Sequence, residues 1–260
     1  MPRPSSASVP VAVVGMACRL PGANDLEQFW QLLQDGRSTV QRVPDARLDR
    51  ATLYDPKKSV IGKSYTEIAC LVDYSQVPQP SLVFEATPEI AYQTLANVAM
   101  EASLDAGWDV TRGGSQNGGV YLGHTRASGL SGDLTFANYL EQTASQLAQV
   151  DGFQKLTGQL SDTILRELVD DARQRYPSRE PDGGPDLGAS VPAYLIGAGL
   201  QLDGPAISFN SACASSLNAL TQAVRALQRG KIDVAVAGGS SFYHSDTVVL
   251  FSQAQSLSAT

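Results

Sequence analysis

Apolar residues along the chain come in two alternating patterns, short unbroken runs and longer stretches with helical spacing. Val11-Ala-Val-Val-Gly15 is the first unbroken run, closed by glycine, and it predicts a strand buried on both faces. A helix follows, capped by Asn24 or Asp25, with Leu26, Phe29, Trp30 and Leu33 on one face and Asp35-Gly36 as its stop. Residues 37–87 are rich in Pro, Asp and Lys with weak periodicity, which predicts an irregular surface excursion. Thr87-Pro88-Glu89 opens a long helix with Pro in its first turn, and Ala91, Leu95, Val98, Ala99 and Ala102 line one face up to Gly107.

The second half of the chain repeats the alternation. Gly118–Gly123 reads as a strand, and a polar helix-forming stretch runs from about Asp133 to Tyr176, with Ile164, Leu165, Leu168, Val169, Ala172 and Tyr176 as its apolar face. Residues 177–185 close it as a loop. A small-residue helix over 189–200 then leads through Gly204-Pro205 into a strand at 206–209. Next comes a helix whose apolar stripe is Leu217, Leu220, Val224 and Leu227, ending at Gly230. Ile232–Gly239 is a last doubly buried strand. Strands separated by helices predict a mostly parallel sheet covered by helices, in one domain with a helical insertion near 125–188.

Composition narrows the function. With 260 residues and 43% apolar content the chain is long enough for one sizeable core. A net charge of -7, with no Lys/Arg stripe, argues against a nucleic-acid partner. Val9–Ala17 before Cys18 resembles a short secretion segment, but Pro10 interrupts it, only Arg3 supplies basic charge, and an amphipathic helix follows. No stretch approaches the ~20 apolar residues of a membrane span. Three widely spaced cysteines fit a reducing cytoplasm better than a disulfide framework. His124 and His244 stand apart with no metal-ligand spacing, so each reads as an incidental surface or core histidine, and no metal or intrinsic cofactor is expected.

One cysteine has a setting of its own. In Ile207-Ser-Phe-Asn-Ser-Ala-Cys-Ala-Ser-Ser-Leu217, Cys213 lies where a strand ends and a helix begins, with Asn210 or Ser211 as N-cap. Unpaired N–H groups at a helix entry, with the positive end of its dipole, favour a thiolate and a developing oxyanion. Close strand–helix packing explains the same small residues equally well. Cys18 and Cys70 read as inert core cysteines. A hydrolase elbow wants Gly two positions on either side of its nucleophile, where this chain has Ser211 and Ser215. A dinucleotide-binding reading fails too, because Gly197-Ala-Gly199 is followed by Leu202 and lies in a helical stretch.

Several segments match one family in order: Val11–Gly22, Phe29-Trp30 with Leu32-Leu33, Glu101–Gly107, Gly204-Pro205, Ser211–Leu217, Arg225–Leu227 and Ala237–Gly239. Over nearly its whole length outside 125–188, the chain resembles the N-terminal portion of a β-ketoacyl synthase of the type I polyketide synthase kind. That resemblance implies an α/β thiolase-like fold built from two βαβαβ halves, of which this is the first. It implies that Cys213 accepts an acyl chain from the phosphopantetheine of an acyl carrier protein, for decarboxylative condensation with a malonyl extender. The Cys213 backbone N–H would be one oxyanion donor, and Ala212 and Ala214 would touch the substrate. Implied partners are the carrier protein, acyltransferase and other synthase domains, and a second copy, with the strand before the cysteine at the dimer interface.

The chain departs from the family pattern in two ways. Asn210-Ser211-Ala212 stands where many members have Asp-Thr-Ala, and Ala214 replaces Ser. The two histidines that the family uses for decarboxylation, in its second half, match neither His124 nor His244. The expectation is therefore a chain that is incomplete, loads acyl groups at most, and leaves half its sheet uncovered. The alternative is a non-catalytic partner-binding or dimerisation module of a synthase complex.

Overall fold

The computed structural model describes residues 9–76, 90–108, 116–125, 129–175 and 188–259. Its centre is a parallel sheet of three strands. β3 (Gly118–Gly123) runs between β4 (Ala206–Phe209) and β5 (Val234–Gly239), the strands numbered in chain order. The register places Gly123 opposite both Phe209 and Gly239, so the three strands end level with one another. Every residue of β3 is buried.

Helices cover both faces. On one side α3 (Ile90–Asp105) and α7 (Val191–Gly199) enclose a core of Ala96, Met100, Val120, Leu122, Ala193, Ile196 and Leu200. On the other, α8 (Ser215–Gln228) packs Ala219 and Ala223 against Tyr121 and Ile232. The expected start of α3 at 87–89 lies outside the described residues, as do Tyr176 and the 177–185 loop. The helix-forming stretch from 133 consists of α4 (Gly129–Leu147), α5 (Asp151–Thr157) and α6 (Ser161–Arg175). Leu165 and Val169 pack there against Ala144 in a small core of their own.

Four expectations are corrected. The run at 11–15 forms no strand, and Val13 is 74% exposed. Its backbone is engaged elsewhere: Met16 N–H donates to Asp105 Oδ2 at 2.9 Å, and a side chain on Gly15 would strike the end of α3. β5 is not doubly buried, since Ala237, Gly238 and Gly239 are exposed and β3 is its only partner among the described strands. The first half of the stripe on α8 is turned outward, with Leu217 67% and Leu220 47% exposed, while Ala219, Ala223 and, farther along, Leu227 pack toward the sheet. Glycines on the neighbouring strands bring helix and sheet so close that only small residues fit between them.

The fourth correction concerns residues 37–87. β1 (Val40–Arg42) and β2 (Ile68–Cys70) pair antiparallel, with α2 (Arg50–Leu53) between them, over a core of Val43, Leu48 and Leu71. Polar side chains rather than apolar periodicity organise this unit. Arg50 Nε donates to Glu67 Oε2 at 2.6 Å, Arg42 pairs with the same carboxylate, and Arg50 also reaches Asp45. The bond from Arg50, helped by Arg42, holds the Glu67 carboxyl below the ordinary glutamate value of 4.5. An unfolded chain binds that proton more readily, so this stability is present above the ordinary value and is lost as pH falls through the lowered one. Amide protection in β1 and β2, taken relative to the intrinsic exchange rate at each pH, should therefore fall on acidification from about pH 5 to about pH 3, and Glu67→Gln should flatten that response.

The first helix, α1 (Leu26–Gln34), is capped by Asp25, which accepts from Gln28 N–H at 2.7 Å. None of its residues is buried and Trp30 is 63% exposed. The turn before it is fixed by Arg19, whose Nη1 donates to Glu101 Oε2 on α3 at 2.8 Å and whose guanidinium also reaches Asn24 O.

Candidate active site

The carboxyl ends of parallel strands are where open α/β sheets gather their chemistry. Three such ends meet here. Past β4 the chain runs through Asn210 and Ser211 into one 3₁₀ turn, Ala212–Ala214, and only then into α8. Cys213 therefore sits one tight turn ahead of the α-helix rather than inside it, and it is exposed. Ser211 is the residue before this turn but makes no side-chain cap. Instead Asn210 Oδ1 accepts from Ala212 N–H at 3.3 Å, and Ser215 Oγ accepts from Ser211 N–H at 2.9 Å.

Ala212 has a φ of +49°, the left-handed region that a residue with a side chain enters only when its surroundings hold it there. This bend turns the chain sharply between strand and helix and puts Cys213 at its apex. The turn closes through Ala214 N–H to Ser211 O at 3.1 Å and through Ser215 N–H to Ala212 O. The Cys213 N–H has no acceptor among the described residues, so a donor stands beside the sulfur. Ala212 and Ala214, the expected substrate contacts, flank it and are exposed.

Two glycines bring the helix entry this close. A Cβ on Gly123 would run into the backbone at Ser215 and Ser216, and one on Gly239 would meet the Ser216 side chain. The signal for this lay in the sequence, where two of the apolar runs end in glycine, but its meaning depends on a helix being seated there.

The other candidates separate from this site. Cys18 is half-buried, and burial raises its thiol above the ordinary value of 9.0, against the opposing pull of Arg19. Cys70 is exposed at the end of β2, which corrects its reading as a core cysteine. A strand that covers its partner on one side only leaves that position facing solvent. His124 is a core histidine, 2% exposed, edge-on to Tyr92 at 5.9 Å and to Phe242 at 5.5 Å. Its Nδ1 shares a 2.7 Å hydrogen bond with Ser240 Oγ, tying the ends of β3 and β5 together. His244 precedes α9 (Ser245–Gln253) as its cap residue. Among the described residues no group of three or more His, Cys, Asp or Glu has a metal-binding arrangement.

An exposed thiol with an open N–H beside it, at the mouth of a helix, is an arrangement suited to nucleophilic chemistry. Residues 8–260 match the N-terminal domain of β-ketoacyl synthase. The chain belongs to the β-ketoacyl synthase family.

Relatives of this chain include the non-reducing polyketide synthase nscA of Arthroderma gypseum, 33% identical over 238 residues, which cover 90% of this chain and 11% of that protein. Mycoketide-CoA synthase of Mycobacterium tuberculosis is 33% identical over 242 residues, 88% of this chain and 5% of that one. Desertorin synthase of Aspergillus desertorum is 30% identical over 255 residues, 96% of this chain and 13% of that one. Among solved structures, the oxazolomycin ketosynthase domain of Streptomyces albus superposes with a TM-score of 0.65 at 24% identity, over 93% of this chain and 37% of that one. A ketosynthase of the bacillaene synthase of Bacillus subtilis gives 0.64 at 23%, over 95% and 35%. The fold is thiolase-like α/β, as the resemblance implied. The chain spans 5% to 13% of the length of these curated relatives and about a third of the solved ketosynthases.

Proposed function

We propose that this chain is the acyl-accepting portion of a polyketide synthase ketosynthase, with Cys213 as nucleophile. The observation that carries the reading is the exposed Cys213 at the apex of a strained turn, with its own N–H open beside it. The Cys213 thiolate attacks the carbonyl carbon of an acyl thioester borne on the phosphopantetheine of a carrier protein. The oxygen of the tetrahedral intermediate takes the Cys213 N–H. Collapse breaks the old carbon–sulfur bond, and the phosphopantetheine thiolate leaves and takes up a proton, so the acyl group ends as a thioester on Cys213.

Condensation would follow when a malonyl extender loses carbon dioxide and its carbanion attacks that thioester. The developing enolate needs donors that His124 and His244 do not provide: one is packed among aromatic rings and bonded to Ser240, the other begins α9. The donors for condensation at Cys213 are therefore residues other than these two histidines. We assign its setting to the cytoplasm, its partners to a carrier protein, an acyltransferase and further synthase domains, and residues 125–188 to a helical insertion longer than in most members of the family.

A second reading, a dimerisation or partner-binding module, draws on the outward face of α8, where Leu217 and Leu220 are exposed, and on Ile207 of β4. The two readings diverge on intact mass after incubation with an acyl phosphopantetheine thioester. Nucleophilic function requires a gain of one acyl group per chain; an unchanged mass would leave the module reading alone standing.

A further inference from the structure

We infer that Ser215 is a positioning residue for Cys213, acting through the left-handed bend at Ala212; the inference rests on the acyl-accepting reading above. Ser215 is the first residue of α8 and only 5% exposed, whereas its neighbours Ala214 and Ser216 are exposed. Its hydroxyl accepts from Ser211 N–H at 2.9 Å and donates to Ala212 O at 2.6 Å, spanning the turn that contains Cys213. Both capacities of one hydroxyl are used on the backbone groups that bracket the bend.

This arrangement has two consequences for the cysteine. First, Ala212 has no intrinsic preference for a φ of +49°, and the bond to its carbonyl opposes relaxation toward the ordinary helical region, which would swing the Cys213 side chain out of line. Second, the Ser211 N–H and the Ala212 carbonyl are satisfied by the hydroxyl, leaving the Cys213 N–H as the donor of the turn without an acceptor. Asn210 Oδ1 on Ala212 N–H at 3.3 Å and Asn218 Nδ2 on Ser211 Oγ at 3.2 Å support the same turn from outside, with longer bonds than those of Ser215. Alanine at 215 would keep the helix, the small volume and the backbone bond from its own N–H to Ala212 O, but would loosen the bend by removing both hydroxyl bonds.

The test compares the unaltered chain with Ser215→Ala and Ser215→Thr, using single-turnover transfer from an acyl phosphopantetheine thioester. Ser215→Ala should lower the limiting transfer rate about tenfold or more, with half-saturation within about twofold, because aim rather than binding is lost. Ser215→Thr restores the hydroxyl and should return the rate to within about threefold. Iodoacetamide labelling, with Cys70 in the same molecule as internal reference, should show a changed Cys213-to-Cys70 ratio only in Ser215→Ala. If Ser215→Ala does not fold, Ser215→Thr and Ser215→Val, alike in shape, carry the comparison, and only threonine should load. Equal limiting rates in the unaltered chain and Ser215→Ala, or failure of threonine to load faster than alanine or valine, would overturn the inference. Absence of loading in the unaltered chain would instead overturn the acyl-accepting reading itself.

Discussion

Valine at Gly123 should be the most damaging single change outside the cysteine, lowering folding stability by about 3 kcal/mol or more. A Cβ there meets the backbone of Ser215 and Ser216, and backbone at a helix entry cannot rotate aside as a side chain would. The sheet cannot yield either, because β3 is the central strand and Gly123 is in register with Phe209 and Gly239 on both sides. The helix start must therefore lift, carrying Ser215 away from the turn it closes. Gly238, one residue before the end of β5, has open space where its Cβ would lie, so Gly238→Ala should change stability by no more than about 0.5 kcal/mol. Urea midpoints of the two variants decide the matter: a Gly123→Val midpoint as high as that of Gly238→Ala would mean that the close approach of α8 does not matter.

Cys213→Ala should abolish acyl transfer, lowering the initial rate of thiol release from an acyl thioester by about a thousandfold or more. Neither remaining cysteine can substitute. Cys18 is half-buried with its thiol raised by desolvation, so little of it is thiolate near neutrality. Cys70 lies on β2, a strand of the separate antiparallel pair, with no helix entry behind it. The variant should fold as the unaltered chain does, since Cys213 is exposed and its removal leaves no buried void. Thiol release at more than about a tenth of the original rate would show that the chemistry is not centred on Cys213.

Local patterning predicted well wherever an element's own residues decide it. Asp25 caps α1, the apolar run 118–123 is the buried central strand, and the parallel order follows from strands separated by helices. Patterning failed where the partner decides. Val11–Val14 is as apolar as β3, yet it forms no ladder, because the segment is held against the end of α3 through Gly15 and the Met16–Asp105 bond. Leu217 and Leu220 on α8 looked like its core face, but the glycines of β3 and β5 seat the start of the helix so closely that Ala219 and Ala223 occupy that role, and of the predicted leucines Leu227 alone packs beside them. The β1–β2 unit escaped notice because ion pairs around Glu67, rather than periodic apolar residues, tie it together.

At the site, the cysteine and the helix entry behind it were legible, and the turn between them was not. Nothing in Ser211-Ala-Cys-Ala-Ser215 announces a left-handed alanine, since that conformation arises from contacts among four neighbouring side chains and two strand ends. The bonds of Ser215 required the backbone to be traced before they had a meaning.

The central claim is that the acyl group arrives on Cys213, and peptide mapping by mass spectrometry after incubation with an acyl phosphopantetheine thioester tests it most directly. The account predicts one acyl adduct on the peptide containing Cys213, removable by hydroxylamine as a thioester, with Cys18 and Cys70 unmodified. Adducts spread evenly over the three cysteines, or confined to Cys70, would contradict it.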